Sequence, residues 1–160
     1  MKRGIVVALT LVATALSAQD ATVTYLQGDV DIRKESGTSF PADFGEQLEA
    51  GDRVVTHRAG EAELELSRGG VVNVAPDTVF LIGSTGGTGG EPQSRLSAAV
   101  GSFSFRFNAV LGNEPRIGST TAAAGVRGTE VRVYVASDGT TRFEVVEGLV
   151  ELEESGRRVS

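Results

Sequence analysis

The sequence contains no cysteine and only one histidine, His57. The missing thiols exclude disulfides, thiolate metal sites and lipid attachment through an N-terminal cysteine. A lone histidine leaves a metal site of the usual kind short of ligands. Lysine is scarce too, since Lys34 is the only one after Lys2. Nearly all positive charge is therefore arginine, which favours fixed planar pairing with carboxylates. Beyond the first 20 residues there is no long apolar run and no sustained 3.6-residue apolar period. Amphipathic helices are thereby excluded as the main building element.

The chain opens with MKRGIVVALTLVATALSAQD. Lys2 and Arg3 precede an apolar run, Gly4 to Leu16, of about 13 residues, where a membrane-spanning helix needs roughly 20. Ala15 and Ser17 form a small-x-small cleavage pattern, with Ala18 as an alternative last residue. Residues 1–18 thus read as a secretory signal peptide rather than an uncleaved anchor. That reading places the protein in the periplasm or outside the cell, with no membrane span after cleavage. Residues 19–160 suffice for one domain with its own core. Without Lys2 and Arg3 the balance is 13 basic against 21 acidic residues, or −8. Nucleic acid and anionic membrane surfaces are poor partners for such a chain.

What is present is alternation. In TVTYLQGDVDIR, Val23 and Tyr25 share a face, followed by Val30 and Ile32. Ala62, Leu64 and Leu66 alternate with Glu61, Glu63 and Glu65, giving one apolar and one acidic side. A three-residue loop with Gly70 left-handed sets Leu66 against Val72 and Leu64 against Val74. Pro76-Asp77 bends the chain, and Val79 and Leu81 continue the apolar face. Residues 83–93, GSTGGTGGEPQ, have no apolar anchor and read as a flexible surface loop. Phe103, Phe105 and Phe107 alternate strictly, which suits core packing or an exposed aromatic shelf for a sugar or peptide. NAVLGNEPRIG reads as a loop or short connector.

The carboxy-terminal third allows a test of register. A two-residue Asp-Gly loop at Asp138-Gly139 would set Val133 against Glu144 and spoil the core face. A three-residue Ser-Asp-Gly loop with Gly139 left-handed sets Val133 against Phe143 and Val131 against Val145. Arg132 then meets Glu144, and Tyr134 meets Arg142, on the outer face. A further turn at Glu147-Gly148 predicts a three-stranded meander over residues 130–154.

Little here points to catalysis. Asp29 and Asp31 share a strand face, as edge-strand charges do, and a divalent cation is the alternative reading. A serine nucleophile would need His57, and no G-x-S-x-G elbow is present. AGVRGTEVRVYV, from Ala124, is neither a dinucleotide nor a phosphate loop, because a strand follows instead of a helix. Gly125 and Gly128 suit a chain reversal or a β-bulge. Arg127 between them suits an inward or rim position pinned by carboxylates or carbonyls.

The segment AAAGVRGTEVRVYVASDGTTRFEVVEGLVELEE resembles the end of the FecR domain family. Its matching positions are Gly125, Val126, Arg127, Gly128, Thr129, Glu130, Asp138, Gly139, Glu147 and Gly148. Upstream, LEAGDRVVTHRAGEAELELSRGGVVNVAPDTVFLI is similar to that family's alternating stretch. The resemblance implies an all-β periplasmic domain whose relatives relay signals between envelope proteins. The iron-uptake sensors of that family carry a cytoplasmic helical segment before a membrane span, where this chain is expected to begin with a cleavable leader, so their anti-sigma role is not implied. The expectation is a single all-β domain of short, mostly antiparallel strands, as a sandwich or a rolled barrel-like sheet. It is a non-enzymatic interaction or sensing module for another envelope protein, without a cofactor. The alternatives are a glycan or cell-wall binding module using Phe103, Phe105, Phe107 or Tyr25 and, last, a hydrolase built on His57.

Overall fold

A computed structural model describes residues 20–67, 69–83, 95–107, 116–119, 122–154 and 157–158. For Arg95, Ala123, 125–129 and 148 onward the description covers the backbone alone. The described residues form 13 strands and no helix. They are β1 (Ala21–Gln27), β2 (Val30–Arg33), β3 (Ser39–Pro41), β4 (Gln47–Leu48), β5 (Arg53–Thr56), β6 (Glu61–Leu66) and β7 (Val71–Val74). There follow β8 (Thr78–Gly83), β9 (Arg95–Arg106), β10 (Arg116–Ser119), β11 (Ala122–Val135), β12 (Thr141–Glu154) and β13 (Arg157–Arg158). All pairings are antiparallel except β9 with β10. The expected all-β class is observed, and of the two arrangements expected, a sandwich or a rolled sheet, the strands form the rolled one.

The sheet is organised by β9, which has two sets of neighbours. Its first half pairs with β8 on one side and β10 on the other. Its second half, from Gly101, pairs with β7 and β11. Behind β8 lie β5, β2 and β3; behind β7 lie β6, β1 and β4. Gly101 sits where the partners change, with φ 100°. A Cβ at that position would collide with the Thr78 hydroxyl and backbone. Glycine is thus required both by the left-handed backbone and by the close approach.

The crease is stitched by two buried threonines. Thr78 Oγ1 accepts from the Ser102 N–H at 3.0 Å and reaches the Ser102 and Pro76 carbonyls at 3.1 Å. Thr56 Oγ1 donates to the Ala75 carbonyl at 2.6 Å and accepts from the Thr78 N–H at 3.0 Å. These hydroxyls satisfy backbone groups that the change of partners would otherwise leave bare. The inward side chains of both halves form one cluster, among them Ile32, Val54, Leu64, Val72, Leu96 and Ile117. Phe80 from one half meets Phe103 from the other edge to face, with centroids 5.0 Å apart. Phe103, Phe105 and Phe107 are buried, so the stripe is core and offers no exposed shelf. Each such ring contributes about 2–3 kcal/mol through burial.

Three local expectations change. Tyr25 does not share a face with Val23, because a bulge places Thr24 as an extra residue between Val23↔Leu64 and Tyr25↔Glu63. Thr24 Oγ1 donates to Glu63, and Tyr25 turns to solvent. In the β6–β7 hairpin the partners are Leu64↔Val72 and Ala62↔Val74, with Leu66 N–H bonded to the Gly70 carbonyl. The three-residue loop lies one position earlier than expected, and the inward face is preserved because the pairing slips by two. In β8, Phe80 and Ile82 point inward rather than Val79 and Leu81. Asp77 takes φ 53°, which re-aims the strand so that Thr78 enters the core. The expected loop at 83–93 lies outside the described residues except for Gly83. The connector reading at 108–118 yields β10 at its end; residues 108–115 lie outside the description.

Gly101→Ala is expected to lose about 3 kcal/mol of stability, combining backbone strain with overpacking. Urea unfolding followed by circular dichroism measures this. A loss below about 0.5 kcal/mol, the range of neutral surface changes, would show that the crease tolerates a side chain.

Candidate functional site

The family-like segment forms a long hairpin. β11 and β12 are each 14 residues long, so no second turn occurs at Glu147-Gly148. The predicted three-stranded meander over 130–154 is therefore two strands, with Glu147 and Gly148 inside β12. The tip matches the preferred register, with Val133↔Phe143, Val131↔Val145, Arg132↔Glu144 and Tyr134↔Arg142. Gly139 takes φ 85°, and the Ala136 N–H donates to the Thr140 carbonyl at 2.9 Å. The Arg142 guanidinium lies 4.5 Å from the Tyr134 ring centre. Glu144 accepts from the Tyr134 hydroxyl at 3.2 Å rather than from Arg132.

The two halves of the motif lie opposite one another. Arg127 pairs with Leu149 and Glu130 with Glu147, so Gly128 and Thr129 together face Gly148. This is a β-bulge in β11. One pair later Val131 meets Val145, leaving Val146 as the extra residue of β12. The second bulge cancels the first, and the register is the same above and below the pair. The glycine segment is thus a bulge, and the alternative of a chain reversal is overturned. Glu130 stands beside Arg106, with Oε2 3.3 Å from Nε. The side chains of Gly125 to Thr129, Arg127 included, lie outside the described residues.

The hairpin leaves one long sheet edge. β12 has β11 on one side; on the other, among the described residues, only β13 pairs with it, at Glu153 and Glu154. The other edges are short: β3 has 3 residues and ends in Pro41, and β4 has 2. Val145 is 45% exposed and Val146 51% exposed on the open strand. Natural edges are normally blunted by shortness, proline, charge or a bulge; β3 and β4 rely on shortness, whereas β12 is long and sets its charges and the Val146 bulge beside two exposed valines. Sequence reasoning missed the pair because alternation placed Val145 in the core. It pairs with Val131, which is fully buried, yet Val145 itself, one strand further out at the border of the sheet, is half exposed.

The residues named for catalysis do not converge. His57 Nε2 lies 2.9 Å from Asp31 Oδ2, and both side chains are well exposed. Asp52 is buried elsewhere, accepting from Lys34 Nζ at 2.8 Å and from the Glu49 N–H at 2.9 Å. Among the described residues no group of three or more His, Asp or Glu is arranged to hold a metal. Among the described residues no helix is long and apolar enough to cross a membrane.

The Thr140 N–H, 2.8 Å from Asp138 Oδ1, together with the Thr140 side chain, holds the Asp138 carboxyl below its ordinary 3.8. A depressed folded-state pKa gives stability that is complete above the unfolded value and is lost as pH falls through the folded one. Asp138→Ala is therefore expected to lower the melting temperature by a few degrees at neutral pH, with the gap closing in strong acid. A gap constant across that acid range would show that the charge on Asp138 is not what supports the turn.

A family model described as FecR protein matches residues 52–151, from just before β5 into β12. No curated protein and no solved structure matches the chain. FecR domains are associated with sensing and signal transduction in the cell envelope, where they mediate protein interactions, and the family is regulatory rather than enzymatic. The model covers more than half of the sequence and includes both halves of the paired-bulge motif, and on that basis this chain belongs to the FecR family.

Proposed function

We propose that this protein is an exported, non-enzymatic interaction module that binds another envelope protein by accepting a strand along β12. The observation that carries the reading is the open edge itself: a long strand, free on one side among the described residues, with Val145 and Val146 uncovered. Added strands gain affinity from main-chain hydrogen bonds and specificity from alternate side chains. Arg142, Glu144 and Glu147 flank the two valines and would select the charge pattern of the incoming strand. The apolar leader supports a place in the periplasm or outside the cell, and the acidic balance favours a protein partner over nucleic acid.

A photo-crosslinking residue at Val146, in cells exporting the protein, tests this. The expected result is one dominant adduct with an envelope protein, absent when the crosslinker stands at Ser36. Val145→Lys should abolish the adduct while shifting the melting temperature little, since that side chain is already exposed. Equal labelling from Ser36, or an adduct that survives Val145→Lys, would overturn the edge-binding reading. Recovery of the chain in the cytoplasmic fraction would overturn the export reading.

A further inference from the structure

The outer face of the sheet carries a groove that the hairpin edge does not use. It has a volume of about 300 Å³ and crosses β1, β6, β7, β9 and β11. Its lining residues Asn73, Ser104 and Arg132 lie in one register row, Asn73↔Ser104 and Ser104↔Arg132, and Tyr25 joins that row across β6, where it pairs with Glu63 and Glu63 with Asn73. Tyr25 and Tyr134 line it together with Asn73, Ser102, Ser104 and Arg132. The two tyrosines stand four strand spacings apart, roughly 19 Å. That length suits a short chain of linked units better than a single small molecule.

The walls are set before any ligand arrives. The Tyr25 hydroxyl donates to Gln27 Oε1 at 2.7 Å. Tyr134 is held between Arg142, 4.5 Å from its ring centre, and Glu144, which accepts its hydroxyl proton. The floor is different. Among the described residues, the side chains of Asn73, Ser102, Ser104 and Arg132 make no hydrogen bond and no ion pair with one another or with a neighbour. The apolar residues beneath them, Val74 and Phe103, point into the core. The groove therefore offers aromatic walls and an uncommitted set of polar donors and acceptors, with no apolar anchor pocket between them.

We infer that this groove binds a neutral oligosaccharide. The exposed Tyr25 ring suits the C–H face of a sugar ring, as an aromatic body with a polar handle does, while Tyr134, stacked under Arg142, closes the far wall. Asn73 offers both a donor and an acceptor, the serines offer either, and Arg132 only donates. That mixture matches neighbouring sugar hydroxyls. A phosphate or acidic polymer would meet one cation, Arg132, with Glu61 also lining the groove and Glu144 opposite Arg132. A peptide would need buried apolar anchors to supply its binding energy, and the floor has none. The inference goes beyond the strand-addition reading and does not rest on it, since the groove and the open edge are different surfaces.

Amide-shift titration of the folded protein with cellohexaose, chitohexaose and mannohexaose at millimolar concentration is the test. At least one sugar should produce shifts confined to the strands around Asn73, Ser104 and Arg132. The double variant Asn73→Ala with Ser104→Ala should weaken that sugar at least about tenfold, or ~1.4 kcal/mol. Ser104→Phe should fill the groove and abolish binding, and Tyr25→Ala at the exposed wall serves if that variant fails to fold. Val145→Lys should leave sugar binding unchanged, which separates this result from the edge reading. Absence of shifts with all three sugars, shifts centred elsewhere, or full affinity in folded Ser104→Phe would each overturn the inference.

Discussion

The contact between Gly101 and Thr78 is the constraint on which the rest of this molecule depends. At that point the backbone of β9 passes so close to β8 that no side chain fits, and the chain takes a left-handed turn without leaving the sheet. One strand of 12 residues can then serve two groups of neighbours. The two groups curl toward each other, Phe80 reaches Phe103, and the inward residues merge into a single core. The threonine hydroxyls at the crease replace ladder hydrogen bonds lost where partners change. A purely apolar crease would leave those amides and carbonyls buried and unpaired, at a cost of about 1–3 kcal/mol each.

The paired bulges of β11 and β12 answer a second geometric need. A strand that follows a curled sheet must twist more strongly on one side, and an extra residue supplies that twist. A single bulge would also invert the facing of every later residue. Here Gly128-Thr129 in one strand and Val146 in the other offset each other. Valines 131 and 133 stay in the core while the hairpin continues past the motif. The family motif is in this sense two halves of one structural device, brought together across the sheet although about twenty positions separate them. Its consequence for the proposed strand addition is indirect: it keeps β12 long, and a long strand at the border leaves a long edge.

How much of this was legible in the sequence depended on whether two faces carried independent information. At Ser137-Asp138-Gly139 one register satisfied the apolar face and the charged face together, and the structure has that register. At β6 and β7 both slips kept leucines facing valines, so the apolar pattern alone did not choose between them. In TVFLIG every residue is apolar or β-branched, and alternation had nothing to say about facing. Tyr25 was misplaced because one inserted residue reverses parity, and Thr24 carries no local mark of a bulge. Glu147-Gly148 resembled a turn by composition, yet its glycine lies opposite the bulge of the partner strand. The outer groove was not legible at all, because its polar residues come from strands far apart in the chain.

The sequence by itself determined the all-β class, the apolar and acidic faces of the strands, the hairpin tip and the family, because these follow from local alternation, turn chemistry and a short motif. Tertiary structure alone decided which strand lies at the border, where the sheet creases, and which side chains share the groove. Those outcomes depend on how many partners a strand finds and on the parity of its bulges, and both are properties of neighbouring strands rather than of the strand's own residues.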